Sequence, residues 1–86
     1  MALNSLKATA TGVVTTNNFN VMLFSWSGPG AAGDVLTVYD NQGRIVWNVV
    51  ADEVNYDLWQ AYDRPVAING INVHTIGSGT LVVYYV

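Results

Sequence analysis

Short runs of β-branched and aromatic residues recur along this chain, broken by clusters of Asn, Asp, Gly and Ser. Runs of that kind fit a pleated, half-buried surface, and the clusters between them are turn formers. The pattern is clearest at the end. Asn69-Gly70 and Gly77-Ser78-Gly79 bracket Ile71–Ile76, and Thr80–Val86 completes the chain. Asn-Gly is the dipeptide that best tolerates positive φ, so it predicts a turn, and the two runs after it predict a terminal hairpin. Thr80–Val86 carries Leu81, Val83 and Tyr85 on one face and Val82, Tyr84 and Val86 on the other. A strand that is apolar on both faces is expected to be covered on both. In so short a chain that expectation points to a partner subunit.

Earlier segments obey the same logic. Residues 1–6 read as an N-terminal arm or first edge. Lys7–Thr16 alternates as one strand, with Ala8, Ala10, Gly12 and Val14 forming a small-residue face. Thr16-Asn17-Asn18 predicts a turn. Phe19–Trp26 is a second strand, with Phe19, Val21 and Leu23 opposite Met22, Phe24 and Trp26. Ser27–Gly33 is rich in Gly and Pro and predicts a loop. Val35–Tyr39 and Arg44–Val50 form a hairpin around Asp40-Asn41-Gln42-Gly43, where Asp first and Gly fourth suit a type I turn.

Asp52–Asp63 breaks the pattern. It holds four of the six acidic residues, and Val54, Leu58 and Ala61 share a helical face, so a loop with a short helical turn is predicted. Arg64-Pro65 ends it, because proline disfavours helical geometry in the residue before it. Val66–Ile68 is a short strand. About seven short strands, with turn signals every roughly 8–12 residues, predict an all-β fold, a small antiparallel β-sandwich or jelly roll. A single β domain over residues 1–86 accounts for the whole chain.

Composition sharpens this. With 86 residues and no cysteine, the chain sits near the size where one core is barely sufficient, and no disulfide reinforces it. Only 10% of residues are charged while 51% are hydrophobic, against a usual charged share of about 25%. A surface so poor in charge exposes neutral or apolar patches, which mark interfaces. Three basic residues, Lys7, Arg44 and Arg64, and a net charge of −3 leave no footprint for nucleic acid or an anionic membrane surface. No stretch approaches about 18 consecutive apolar residues. Met1–Lys7 lacks the charged and apolar segments of a secretion signal, so synthesis in a cytoplasm is expected.

Candidate chemistry is sparse. Gly28-x-Gly30-x-x-Gly33 resembles a phosphate-binding loop in spacing, yet the next segment, Val35–Tyr39, reads as a strand where that loop requires a helix. Asp40 reads as a turn residue whose carboxylate takes a backbone N–H; a calcium loop needs further acidic residues and a closing Glu. His74 is the one histidine and has no nucleophile placed with it by sequence, so it reads as a packed or surface side chain. Nothing in the spacing of Asp52, Glu53, Asp57 and Asp63 fixes two carboxylates across a cleft. No catalytic residue, cofactor or metal is expected. Arg64 is expected to pair with a nearby carboxylate. Trp26 and Trp47 sit in predicted strands and are expected in the core. Tyr56, Trp59 and Tyr62, beside Asn55, Asp57 and Asp63, suit either a protein interface or stacking on sugar rings, and the need for covered surface favours the interface.

Val35–Asp40, the Pro-led strand Arg64–Ile68, Asn69-Gly-Ile and the ending Gly77-Ser-Gly-Thr-Leu-Val-Val-Tyr-Tyr together resemble small β-rich virion proteins of tailed bacteriophages, the capsid decoration (cement) and related accessory proteins. The resemblance spans residues 35–86. It implies a non-enzymatic protein that binds the outside of a capsid lattice, commonly as a trimer, and clamps the major capsid protein or another virion protein. The implied location is the virion surface. The expected interface residues are Tyr56, Trp59, Tyr62, Leu81, Val83, Tyr84, Tyr85 and Val86. Ser27–Gly33 or Asp52–Asp63 is the expected tip meeting the capsid. The alternative is a host-recognition or carbohydrate-binding β-sandwich module on a virion or cell surface; a cellular adaptor or surface-layer component is a third reading.

Overall fold

A computed structural model describes residues 4–52 and 57–86, apart from the side chain of Phe19. Among the described residues six strands form: β1 (Asn4–Ala8), β2 (Gly12–Ser27), β3 (Val35–Tyr39), β4 (Ile45–Val50), β5 (Leu58–Ile76) and β6 (Thr80–Tyr85). They make one sheet in the order β1-β6-β2-β5-β3-β4, antiparallel at every pairing. The expected all-β antiparallel class is what the chain adopts. The two-layer packing of a sandwich arises here from a single sheet. In the sheet β2 and β4 are three positions apart, about 14 Å in a flat array. Even so, the rings of Phe24 on β2 and Trp47 on β4 stack with centroids 5.5 Å apart. The sheet therefore coils until its inner face closes on itself. Val21, Phe24, Trp26, Leu36, Val38, Ala51, Ile68, Ile71, Val73, Leu81 and Val83 fill the space inside.

Two predicted turns are bends within long strands. Asn69-Gly70 is not a hairpin turn. It lies in the middle of the 19-residue β5, with Gly70 at φ 87°. Thr16-Asn17-Asn18 likewise lies inside the 16-residue β2. The two sites face each other: Asn18 pairs with Asn69, and the register slips between Thr15 and Asn18. The slip inserts one extra residue on β2, as a β-bulge does, and flips that strand's side chains to opposite faces. On β5 the inward positions change across Asn69-Gly70, from Leu58, Tyr62, Val66 and Ile68 to Ile71 and Val73. A further slip between Val21 and Leu23, which puts one extra residue on β2 against β6, flips β2 again, so Val21 and then Phe24 and Trp26 point inward. Residues that favour turns also suit bulges, since both need positive φ or local side-chain hydrogen bonds.

Two other expectations change, and the edge reading of the N-terminal residues holds over residues 4–6. Lys7–Thr16 is not one strand: β1 ends at Ala8, residues 9–11 bend, and β2 starts at Gly12. Residues 4–6, read as arm or edge, belong to the edge strand β1, which pairs with β6. The helical turn predicted in Asp52–Asp63 is absent from residues 57–63, of which 58–63 open β5 as extended strand. Residues 53–56 of that stretch, and residues 1–3, lie outside the described residues.

Asp40 holds the β3–β4 turn as anticipated. Its carboxylate accepts the backbone N–H groups of Gln42 (2.9 Å) and Arg44 (3.0 Å), and the Arg44 Nε donates to its other oxygen at 2.9 Å. The neighbouring Asn41 fastens this turn to the bend in the long strands. Its N–H reaches the Asn69 carbonyl at 2.8 Å, and its Nδ2 donates to the Thr16 carbonyl at 2.9 Å and to Asn69 Oδ1 at 3.0 Å. Gly70 is glycine for two reasons. Its φ is positive, and a Cβ there would lie 2.0 Å from the Asn41 Oδ1.

Candidate interaction surfaces

The outer face of the sheet can be built row by row from the register. Lys7, Val82, Ser25 and Trp59 stand side by side on β1, β6, β2 and β5. The next row on the same face is Ser5, Tyr84, Leu23 and Ala61. Val82, Tyr84 and Leu23 are half-buried, while Trp59 is 65% exposed. Four strands thus present an open face with apolar and aromatic side chains at its centre and Lys7 and Ser5 at one margin. Along the chain Tyr84 and Trp59 belong to separate elements. Their shared face is visible only with the strand order, because Leu23 and Ser25 lie between them.

The expected interface residues divide accordingly. Leu81 and Val83 are each 1% exposed and belong to this chain's own core, so they are closed to a partner. Tyr62 points inward and meets the Phe24 ring edge-on, centroids 6.3 Å apart. Burial pushes its hydroxyl pKa above the usual 10.0. Tyr84, Tyr85 and Val86 are half-buried, and Tyr56 lies outside the described residues. Trp59 and Tyr62 project from opposite faces of β5, as residues an odd number apart on a strand must. The aromatic cluster suggested by their spacing is therefore not assembled by that pair.

Ser27–Gly33, expected as a projecting tip, is tied down. Pro29 is buried. Gly28 N–H donates to Asp57 Oδ1 at 2.9 Å and Gly30 N–H to Ser78 Oγ at 2.5 Å, while the Ser78 hydroxyl donates to Asp34. The Ser78 carbonyl accepts the Trp26 indole N–H at 2.7 Å. Ser78 is legible in the sequence only as a turn residue, although it links three segments. As the strand reading implied, the glycine-rich loop leads into β3 rather than a helix.

His74 is exposed and stacks on Tyr39, centroids 4.6 Å apart and planes 10° from parallel. Among the described residues no group of three or more His, Cys, Asp or Glu gathers. Among them the one ion pair joins Arg44 to Asp40; Arg64 makes none with a described carboxylate, and Glu53 of the expected partners lies outside the described residues. The Arg44 backbone N–H is the main influence lowering the Asp40 pKa below its ordinary 3.8, opposed by desolvation and assisted by the Gln42 N–H and the Arg44 guanidinium. A lowered folded-state pKa means that this contribution to stability is present above about pH 4 and is lost as pH falls through the folded value. Thermal melts from neutral pH down to about pH 2 should show wild type losing this increment, whereas Asp40→Asn, already less stable at pH 7, declines less. Parallel declines would show that Asp40 does not carry it.

No protein-family model matches the chain, and neither a curated protein nor a solved structure gives a match.

Proposed function

We propose that this chain is a non-enzymatic structural protein that self-associates and binds a larger protein lattice through the outer face of its sheet, as a decoration protein on a bacteriophage capsid. The face formed by Val82, Trp59, Tyr84 and Leu23 is the observation that carries the reading. It spans four strands and offers a 65%-exposed tryptophan beside half-buried Leu23, Val82 and Tyr84. Partly exposed aromatic side chains within an open surface are what protein partners use as anchors. The virion setting comes from the resemblance of residues 35–86 and from the charge-poor composition. Of the rings named for the glycan-binding alternative, Trp59 and Tyr62 lie on opposite faces of β5.

The test is co-sedimentation of the purified chain with intact heads of the phage that encodes it. Wild type is expected to pellet with the heads. Trp59→Arg should lower the bound fraction by about tenfold or more, with an unchanged melting temperature because the side chain is outside the core. Heads purified from the source that lack the protein would refute the reading, as would undiminished binding by the variant.

A further inference from the structure

Backbone edges left open by the sheet differ in how they are guarded. β1 carries Lys7, the unpaired side of the first half of β5 carries Asp63-Arg64-Pro65, and the corresponding half of β2 is bent by its register slips. Charge, proline and bulges are the devices that stop sheets from joining edge to edge. β4 is different. Ile45-Val-Trp-Asn-Val-Val50 contains no charge and no proline, its outer side has no neighbour in the sheet among the described residues, and Val50 is 51% exposed. Its register slip lies at one end, between the pairs Trp47–Val38 and Ile45–Tyr39, so Trp47 to Ala51 runs regularly.

We infer that the β4 edge is the self-association surface, pairing antiparallel with β4 of a second copy across a two-fold axis at Asn48. This rests on the self-association in the proposed function and assigns it two-fold symmetry, where the resemblance implies three-fold. Backbone direction sets the allowed registers. Ala51 directs its N–H to the Asp34 carbonyl and its carbonyl to the Gly33 N–H, both toward β3. By strand alternation, Val49 and Trp47 also face β3, and the N–H and carbonyl groups of Val50 and Asn48 face outward. Outward residues must meet outward residues, so the axis falls on Asn48, Val49 or Val50. Coverage chooses among these: with the axis at Asn48, Val46 to Val50 lie opposite their counterparts, whereas an axis at Val49 pairs only Asn48 to Val50 and an axis at Val50 pairs that residue alone. The same register places the exposed Val50 against Val46. Two chains of net charge −3 then meet where neither carries charge on the strand itself.

The absence of cysteine makes the register directly readable. Only a residue on the axis faces its own copy. In a hydrogen-bonded antiparallel pair the Cα atoms are about 5.5 Å apart, within disulfide range. Asn48→Cys is expected to give a covalent dimer on mild oxidation, while Val50→Cys remains uncross-linked. Val50→Lys should raise the dimer dissociation constant about tenfold or more, and Val13→Lys, on an exposed position of β2, should leave it unchanged. Circular dichroism confirms that each variant is folded, and light scattering of wild type and Val50→Lys tests the edge independently of the cysteines. An oligomer in which Asn48→Cys fails to cross-link, in which Val50→Cys links equally fast, or in which Val50→Lys has no effect overturns the edge pairing but leaves self-association standing. A chain that is monomeric at every concentration overturns both. Failure to bind heads, with the cross-link present, removes only the capsid reading.

Discussion

Gly79→Ala is expected to destabilise the protein by about 3–5 kcal/mol, a large part of the roughly 5–10 kcal/mol that holds a chain of this size together. Gly79 has φ 76°, and a Cβ there would lie 2.6 Å from the Ser27 carbonyl oxygen and 2.9 Å from the Trp26 indole nitrogen. The left-handed conformation alone costs a non-glycine residue about 1–2 kcal/mol. The remainder comes from the contacts. The Ser27 oxygen is backbone in β2 and cannot rotate away, and moving the indole breaks its bond to the Ser78 carbonyl, leaving a donor of the buried Trp26 unpaired at about 1–3 kcal/mol. Gly43→Ala is the control. Its φ is 77°, yet nothing lies within 4 Å of an added Cβ, so it should lose only the conformational part. Urea denaturation of both variants decides the matter. Equal losses would mean that the close approach at Gly79 contributes nothing.

Phe24→Ala is expected to cost about 3–5 kcal/mol, the range for truncating a buried aromatic side chain, and Phe24→Leu appreciably less. Phe24 is fully buried on β2 and touches both Trp47 of β4 and Tyr62 of β5. The expected signature lies in the coupling. A double-mutant cycle between Phe24→Ala and Trp47→Ala should give an interaction of about 0.5–1.5 kcal/mol, as stacked rings do. In a flat sheet two intervening positions would separate these residues and the coupling would vanish. Zero coupling would therefore argue against the coiled sheet itself.

Strand composition and the Asp40 turn are readable in the sequence because both depend on local chemistry. Asp first, Gly fourth and a carboxylate able to accept N–H groups need nothing from the rest of the chain. The bends at Thr16–Asn18 and Asn69-Gly70 read as turns because a bulge and a turn use the same residues. The difference is whether the flanking segments pair with each other or continue along a common neighbour, and that is a long-range fact. Reading them as turns cuts both long strands in two. The phase flips at these slips explain why both apolar faces of Phe19–Trp26 are equally eligible from sequence: Val21 is inward before the slip, Phe24 and Trp26 after it. The two apolar faces of Thr80–Val86 are plain in the sequence, but only one is core; the other is the half-buried outer face beside Trp59. Proximity along the chain groups Tyr62 with Trp59. An extended strand sends them apart, where the predicted helical turn would have kept them near one another.

Native mass by light scattering, taken over a wide range of concentrations, tests the self-association on which the proposed function depends. Twice the mass of one chain is expected at high concentration, falling toward a single chain on dilution. A trimer would retain self-association and contradict the two-fold pairing of β4. The mass of one chain at every concentration would contradict self-association itself, and with it the functional reading.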